Sequence, residues 1–340
     1  MQRRTLLLAA GSALVAAGCA KNADSGGDSA TLNVGQISNS VAFLPFYVGE
    51  QRNFFTGIKL GERPRLGTGA KVAAALQSGS IDVAGAVMTD AFNLYKTNPQ
   101  ARIIGTLVDT YYVDIIAGAS VPATGDKAPI ADRIAALRGR KIGITGPGSG
   151  TEALVKYLFQ QGGLDTAKDA TLVNLGSDNS AALGALSQKR VDFLSFFQPV
   201  GQLAVAAGAG RIYLSPAAGD IPALQHATHG VIITTQSVLD RKGDAVGAFL
   251  RGVAKAEALI HGDAAATSQL LAGYQDTMKP ETVSALAPIL QREIPASPLP
   301  QEAGYSASVT FHQQSGLFPA PPGFADMVPV DWVSSALNKS

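Results

Sequence analysis

Small and hydroxyl residues come together in the segment Gly146-Pro147-Gly148-Ser149-Gly150-Thr151, which follows an apolar strand and opens a helix. Backbone N–H groups at a helix start, with hydroxyls beside them, can bind an anion or a carbonyl oxygen. A phosphate-binding loop would end in Lys and then Ser or Thr, and a dinucleotide fingerprint has a different glycine spacing, so both are excluded. Ser149, Gly150 and Thr151 are therefore candidate binding residues, although a plain helix cap explains the same pattern.

An internal repeat supplies two further loops with hydroxyl groups. The segments 66–86 and 175–196 share Leu-Gly, a hydroxyl residue, an Ala-rich helix and a strand that opens with a β-branched residue and Asp. This repeat predicts two similar sheets, and both loops reach one cleft if the sheets face each other. The candidates from the two copies are Thr68, Gly69, Ser177 and Asn179.

Other candidates follow predicted strands at the same edge of each sheet. In open α/β sheets, ligands bind outside the carboxyl ends of the strands. By that argument the further candidates are Ser38, Asn39, Phe43, Thr89, Gln198 and Thr228. Asp90 fits a helix N-cap better than a ligand contact, and Lys71 is the one cation close to such a loop.

Metal and covalent chemistry find little support in the sequence. One cysteine, Cys19, allows neither an internal disulfide nor a four-cysteine metal site. His226 and His229 are three residues apart, but Pro222 and Gly230 argue for a loop and a strand, and no third ligand is evident. No Gly-x-Ser-x-Gly nucleophile elbow is present. We therefore expect no metal, no cofactor and no enzymatic activity; His229, like Thr228, fits a single ligand contact.

The elements that must position these residues form an α/β pattern. The chain has 340 residues, 46% of them hydrophobic, and its formal net charge of +1 gives no reason to expect nucleic-acid binding. Apolar strand-like runs alternate with Ala-rich helical segments as far as about residue 236, and only helices follow. This order predicts parallel sheets covered by helices. The predicted helices are 43–55, 69–78, 90–97, 150–161, 179–188, 198–207, 244–262, 264–274, 280–292 and 300–315.

The first 30 residues do not belong to this pattern. Arg3 and Arg4 precede an uncharged, mostly apolar run, which is typical of a signal peptide over 1–18. Ala16-Ala17-Gly18 before Cys19 resembles a bacterial lipobox, whose cysteine carries lipid, although Ala16 stands where Leu is usual. Ordinary cleavage near Ala20 is the alternative, and Arg3-Arg4 is also a loose match to twin-arginine export. Residues 19–30 predict a flexible tether.

Several segments in order resemble one known family. Val34-Gly35-Gln36, FLPFYVGEQRNFF, ALQSGSIDVAGA and LRGRKIGITGPGSGTEALVKYLFQQGGLD are similar to the substrate-binding proteins of ABC importers for sulfonates, nitrate, taurine and pyrimidine thiamine precursors. The resemblance implies a periplasmic-binding-protein type II fold, with two parallel-sheet lobes and a ligand cleft between them. Lobe one would comprise 31–118 plus 227–340, and lobe two 119–226. The crossings would lie at 119–129 and 215–223.

The resemblance also implies a function without catalysis. A lipid-anchored, monomeric protein outside the cytoplasmic membrane would capture a small molecule by hinge closure and deliver it to an ABC permease and its ATPase. The neutral donors of the candidate site favour a sulfonate, sulfate ester or carboxylate ligand, which could have an aromatic or aliphatic tail. A pyrimidine or thiamine-precursor ligand is the alternative. An enzyme or a sensor on the same scaffold stays open as a lesser alternative.

Overall fold

The computed structural model describes residues 30–339. The predicted signal segment, Cys19 and the tether up to residue 29 lie outside the described residues. Within residues 30–339, no helix combines the length and the apolar character that crossing a membrane requires.

Eleven strands are present among the described residues. They are β1 (Thr31–Leu32), β2 (Val34–Gln36), β3 (Lys59–Leu60), β4 (Val83–Val87), β5 (Ala101–Val108), β6 (Val113–Gly118), β7 (Lys141–Ile144), β8 (Thr171–Asn174), β9 (Phe193–Phe197), β10 (Gly210–Leu214) and β11 (Gly230–Thr235).

Fourteen α-helices accompany these strands in the same part of the chain. They are α1 (Leu44–Gln51), α2 (Gly69–Ser78), α3 (Met88–Thr97), α4 (Ile130–Ala135), α5 (Gly150–Gln161), α6 (Thr166–Asp169), α7 (Asn179–Ser187), α8 (Val200–Ala206), α9 (Gln236–Gly262), α10 (Ala264–Tyr274), α11 (Pro280–Glu293), α12 (Glu302–Gln314), α13 (Phe324–Met327) and α14 (Val330–Asn338).

The strands form two main sheets. One has four strands in the order β2-β4-β11-β5, and the other has five in the order β10-β6-β9-β7-β8. The pairs β2–β4, β7–β8 and β7–β9 are parallel, as the sequence predicted, but β11 and β6 run antiparallel to both of their neighbours. We call the four-stranded sheet with α1–α3 the four-stranded half, and the five-stranded sheet with α4–α8 the five-stranded half.

The chain passes between the two halves twice, at 109–112 and at 215–229. The sequence predicted the first passage at 119–129, after β6 and not before it. The difference is β6, which the structure pairs between β9 and β10 in the five-stranded half. All six of its residues are buried, so its composition carries no signal for the sheet to which it belongs.

The helices that follow β11 tie the halves together. Phe311 on α12 packs against Tyr111 in the first passage, with ring centroids 4.6 Å apart, and against Tyr157 on α5, at 5.2 Å. Helix α9 begins eight residues before its predicted start and has a non-helical residue, Lys242, inside it. The helix is interrupted at Lys242, whose ammonium lies 2.9 Å from the carboxylate of Asp82, just before β4.

Candidate binding site

A cavity of about 910 Å³ lies between the two halves. The four-stranded half contributes the loop after β2, the start of α2 and one face of α3, whereas the five-stranded half contributes the loops after β7 and β8 and the end of β9. The polar side chains in its wall are Ser38, Thr68, Gln77, Asp90, Asn93, Lys96, Thr97, Tyr112, Thr145, Ser149, Thr151, Asn174, Ser177 and His229.

Two helices of at least ten residues begin at this cavity from opposite sides. The hydroxyl of Thr68 accepts from the Lys71 amide at the start of α2, and that of Ser149 accepts from the Glu152 amide at the start of α5. Each cap satisfies one N–H group, while the other first-turn N–H groups have no acceptor within their own helix. The positive ends of α2 and α5 therefore face one space and favour an anion or a carbonyl oxygen there.

The loop that precedes α5 is held by its own hydroxyls. Thr151 Oγ1 accepts from the Thr145 amide at 2.9 Å and is hydrogen-bonded to Ser149 Oγ at 2.8 Å. The Glu152 carboxylate accepts from the Gly148 amide at 2.6 Å. Thr151 thus lines the cavity, but its hydroxyl shapes the loop.

The two copies of the sequence repeat meet at the cavity. Ser177 Oγ, after β8, donates to the carbonyl oxygen of Gly67, before α2, at 2.8 Å. The structure therefore brings the two matching loops into direct contact, each from its own half.

Seven of the thirteen residues proposed from the sequence lie in the cavity wall. They are Ser38, Thr68, Gly69, Ser149, Gly150, Thr151 and Ser177.

Three of the remaining candidates are buried outside the cavity wall. Phe43 is completely buried and packs on Phe46 beneath the four-stranded sheet. Thr89 is also buried, and its hydroxyl is hydrogen-bonded to His312 Nε2 at 2.8 Å. Gln198 donates from Nε2 to Glu293 at 3.0 Å and faces a separate cavity of about 400 Å³. These three side chains are not in the cleft wall, because strand ends and helix starts also provide packing positions.

The other three lie beside the cleft. Thr228 lines a separate cavity of about 300 Å³ near α12. The backbone carbonyl of Asn39 accepts from Gln275 Nε2 at 2.8 Å. Asn179 begins α7 one position after its cap residue, Asp178, whose side chain accepts from the Ala181 amide. Asn39 and Asn179 therefore do not line the cavity, whereas Ser38 and Ser177 do.

Sequence reasoning missed the contribution of α3. Asp90, Asn93 and Thr97 are spaced three and four residues apart, so they share one helix face, and that face lines the cavity. The spacing was a usable signal. Asp90 does cap its helix, since its Oδ2 accepts from the Val87 amide at 3.3 Å, but it also faces the cleft. Lys96 stands in the wall and Lys71 does not.

Burial shifts the pKa of three titratable groups of the wall, Asp90, His229 and Tyr112, and raises that of Tyr112 above its usual value. Burial raises the pKa of the Asp90 carboxyl to about 7, against the lowering effect of the Val87 hydrogen bond. Burial also holds the pKa of His229 well below its usual value. The His229 ring lies 4.0 Å from that of Tyr111, centroid to centroid, and its Nδ1 has no hydrogen-bond partner among residues 30–339.

The halves are closed around the cavity. Asn93 Nδ2 donates to the Gly148 carbonyl at 3.1 Å, and the Tyr111 hydroxyl donates to the Gly150 carbonyl at 2.6 Å. Gly150 lies so close to the opposite side that a methyl group there would be 2.8 Å from His229 Cε1. Over the described part of the chain, no three His, Cys, Asp or Glu side chains are grouped as a metal site.

Several solved structures share this fold. The alkanesulfonate-binding protein SsuA of Xanthomonas axonopodis pv. citri, bound to MOPS, is 19% identical, with a TM-score of 0.69 over 88% of this chain and 98% of that one. The nitrate-binding protein NrtA of Synechocystis PCC 6803 is 15% identical, with a TM-score of 0.71 over 90% and 88%. The ligand-binding component of a Staphylococcus aureus ABC-type import system is 16% identical, with a TM-score of 0.72 over 90% and 98%.

These likenesses confirm the predicted periplasmic-binding-protein fold. No curated protein matches the sequence. The family model described as NMT1-like matches residues 27–273, most of the chain. The protein therefore belongs to the NMT1-like family, as the resemblance in its sequence indicated.

Proposed function

We propose that this protein is the solute-binding component of an ABC importer and that it holds its solute in the cavity between the two halves. The observation that carries the proposal is the placement of the α2 and α5 N-termini on opposite sides of one enclosed space. A solute that binds both helix starts stabilises the closed form in proportion to its extra affinity for that form. The closed pair of halves would then dock on the permease.

The proposed solute is a small organic molecule with an acidic or carbonyl group. Helix N-termini, the hydroxyls of Thr68, Ser149 and Ser177, and the ammonium of Lys96 all favour oxygen atoms with negative charge. Sulfonates, sulfate esters and carboxylates fit this description, and two proteins of similar structure are an alkanesulfonate-binding and a nitrate-binding protein. A pyrimidine is the second candidate, because the Tyr112 and Phe197 rings in the wall could contact a heterocycle.

We further propose that the protein acts outside the cytoplasmic membrane, as a monomer, and that lipid on Cys19 anchors it. The support is the sequence pattern of residues 1–19 and the periplasmic-binding-protein fold. Acylation can be measured as a mass increase of the mature N-terminal peptide, and a mature protein that lacks both Cys19 and lipid would contradict the anchor.

The binding role is tested by a thermal-shift panel of alkanesulfonates, aromatic carboxylates and pyrimidines. A ligand of the native state raises Tm, by an amount that grows with its concentration relative to Kd. We expect a shift with an acidic compound, and loss of that shift in Thr68→Trp and Ser177→Trp, whose indoles would fill the space between the helix starts. Ser284→Trp, on the exposed surface of α11, is the matched control. Shifts that persist in both cleft variants would show that the solute binds elsewhere.

A further inference from the structure

Asp90 is a buried acid in the wall of the cavity. Its exposed fraction is 6%, and within the described residues its carboxyl accepts one hydrogen bond, at Oδ2 from the Val87 amide, and forms no salt bridge. Oδ1 has no protein donor in the same part of the chain. Oδ1 is therefore available to accept a hydrogen bond from a molecule in the cavity, and a donor there would stabilise a carboxylate that is mostly removed from water.

Oδ1 of Asp90 lies at the cavity, beside the start of α2. Oδ1 lies against Gly69 at the start of α2, so closely that a methyl group on Gly69 would overlap it. On α3, Asn93 reaches the Gly148 carbonyl across the cleft, and Thr89 lies beside Gly150. Asp90 lies between these two residues along α3 and lines the same cavity as the loop at 146–150.

We propose that Asp90 determines specificity by selecting solutes with an N–H donor, which binds Oδ1 while the acidic or carbonyl group of the same solute binds the start of α5. This inference rests on the proposed function. A solute that has the donor completes the hydrogen bonding of Asp90, whereas a solute without it leaves a buried carboxylate unpaired. The difference is worth about 1–3 kcal/mol, or about 5- to 150-fold in Kd.

The role of Asp90 predicts a pH dependence, in which its neighbours also take part. The charged or titratable neighbours of Asp90 are Lys96 on α3, His229 just before β11, His312 on α12, Glu152 on α5 and Tyr112 at the end of the first passage. Burial lowers the pKa of both histidines, so they stay neutral between pH 5.5 and 8. Over that range Asp90 goes from mostly protonated to mostly ionised, since its pKa is about 7. An N–H donor should bind more tightly at pH 8 than at pH 5.5.

Paired compounds that differ by one amino group test the inference. The pairs are 3-aminopropanesulfonate and propanesulfonate, 4-aminobenzoate and benzoate, and 4-aminopyrimidine and pyrimidine, with Kd measured by calorimetry at pH 8 and 5.5. In the pair that binds, we expect the amino compound to bind about 5- to 150-fold tighter at pH 8. This ratio should fall towards one in Asp90→Ala and stay unchanged in Ser284→Ala, on the exposed surface of α11 and outside the cavity.

Asp90→Asn keeps the shape of the side chain and serves as the second variant if Asp90→Ala does not fold. It should lose the pH dependence of the ratio, because an amide does not titrate in this range. Equal affinities within every pair that binds, or a ratio that both variants retain, would overturn the role of Asp90 alone. Absence of binding by all six compounds would contradict the proposed function and, with it, this inference.

Discussion

Single buried carboxyl groups make the folding stability of this protein depend on pH. Burial raises the pKa of Asp114 to about 7, with a further upward effect from Asp220, and burial raises that of Glu293 to about 8. A hydrogen bond from the Ser215 side chain lowers the pKa of Asp114, but the effect of burial is larger. These acids bind a proton more tightly in the folded than in the unfolded state, so stability falls as pH rises from about 4 to about 8.

Histidines act in the opposite direction, but only in the lower part of this range. Burial lowers the pKa of His312 to about 4, so its effect is an increase in stability as pH rises from about 4 to 6.5. Above pH 6.5 the carboxyls act alone. We therefore expect Tm of the ligand-free protein to fall between pH 6.5 and 8.

Asp114→Asn tests this assignment. The change removes the buried charge and keeps the shape, so at pH 8 it should stabilise the fold by about 1–3 kcal/mol, with a much smaller effect at pH 5. Denaturant unfolding at the two pH values measures the difference, and Asp276→Asn on the surface is the control. A stability gain at pH 5 as large as that at pH 8 would show that charge is not the cause.

The elements that form the cleft were predictable to different degrees, for physical reasons. Helices α2 and α5 begin and end where the sequence predicted, because Thr68 and Ser149 are cap residues before Ala-rich or amphipathic runs. Strand β3 has two residues and pairs with β1 across 28 positions of sequence, so no local pattern marks it. Phe43 and Thr89 lie outside the cavity wall for the same reason, since Gly85 and His312 become their neighbours only through tertiary packing.

A substitution at the start of α5 tests whether solute binding requires the close approach of the two halves. In Gly150→Ala the new methyl group would collide with His229, which cannot move aside because it is packed between the Tyr111 and Tyr112 rings. We expect the closed form to be disfavoured, with about a 5- to 30-fold loss of solute affinity, as for a clash of about 1–2 kcal/mol. Calorimetry measures the loss. Gly184→Ala in α7, where a methyl group has open space, should keep wild-type affinity, and a normal affinity of Gly150→Ala would show that the halves separate more widely than here.

Closure of the whole molecule depends on few polar contacts between the halves. Asn93 to Gly148 and Ser177 to Gly67 join the two rims of the cleft, and the buried rings of Tyr111, Tyr157 and Phe311 pack at its base. The base also has buried hydrogen bonds, from Tyr111 to Gly150 and from Ser40 to Gln198, so it favours a hinge that stays together, whereas the rims can separate and exchange their hydrogen bonds for water. A rim contact of this kind contributes about 0.5–1.5 kcal/mol.

The double variant Asn93→Ala/Ser177→Ala should therefore open the ligand-free protein without unfolding it. Loss of both rim contacts shifts the equilibrium between open and closed forms by about 1–3 kcal/mol, or about 5- to 150-fold. Small-angle scattering should show a larger radius of gyration, which a saturating solute reverses because it binds both halves. Ser284→Ala removes a hydroxyl bonded within α11 and should leave the radius unchanged. An unchanged radius in the double variant, with or without solute, would mean that the base alone fixes the angle between the halves.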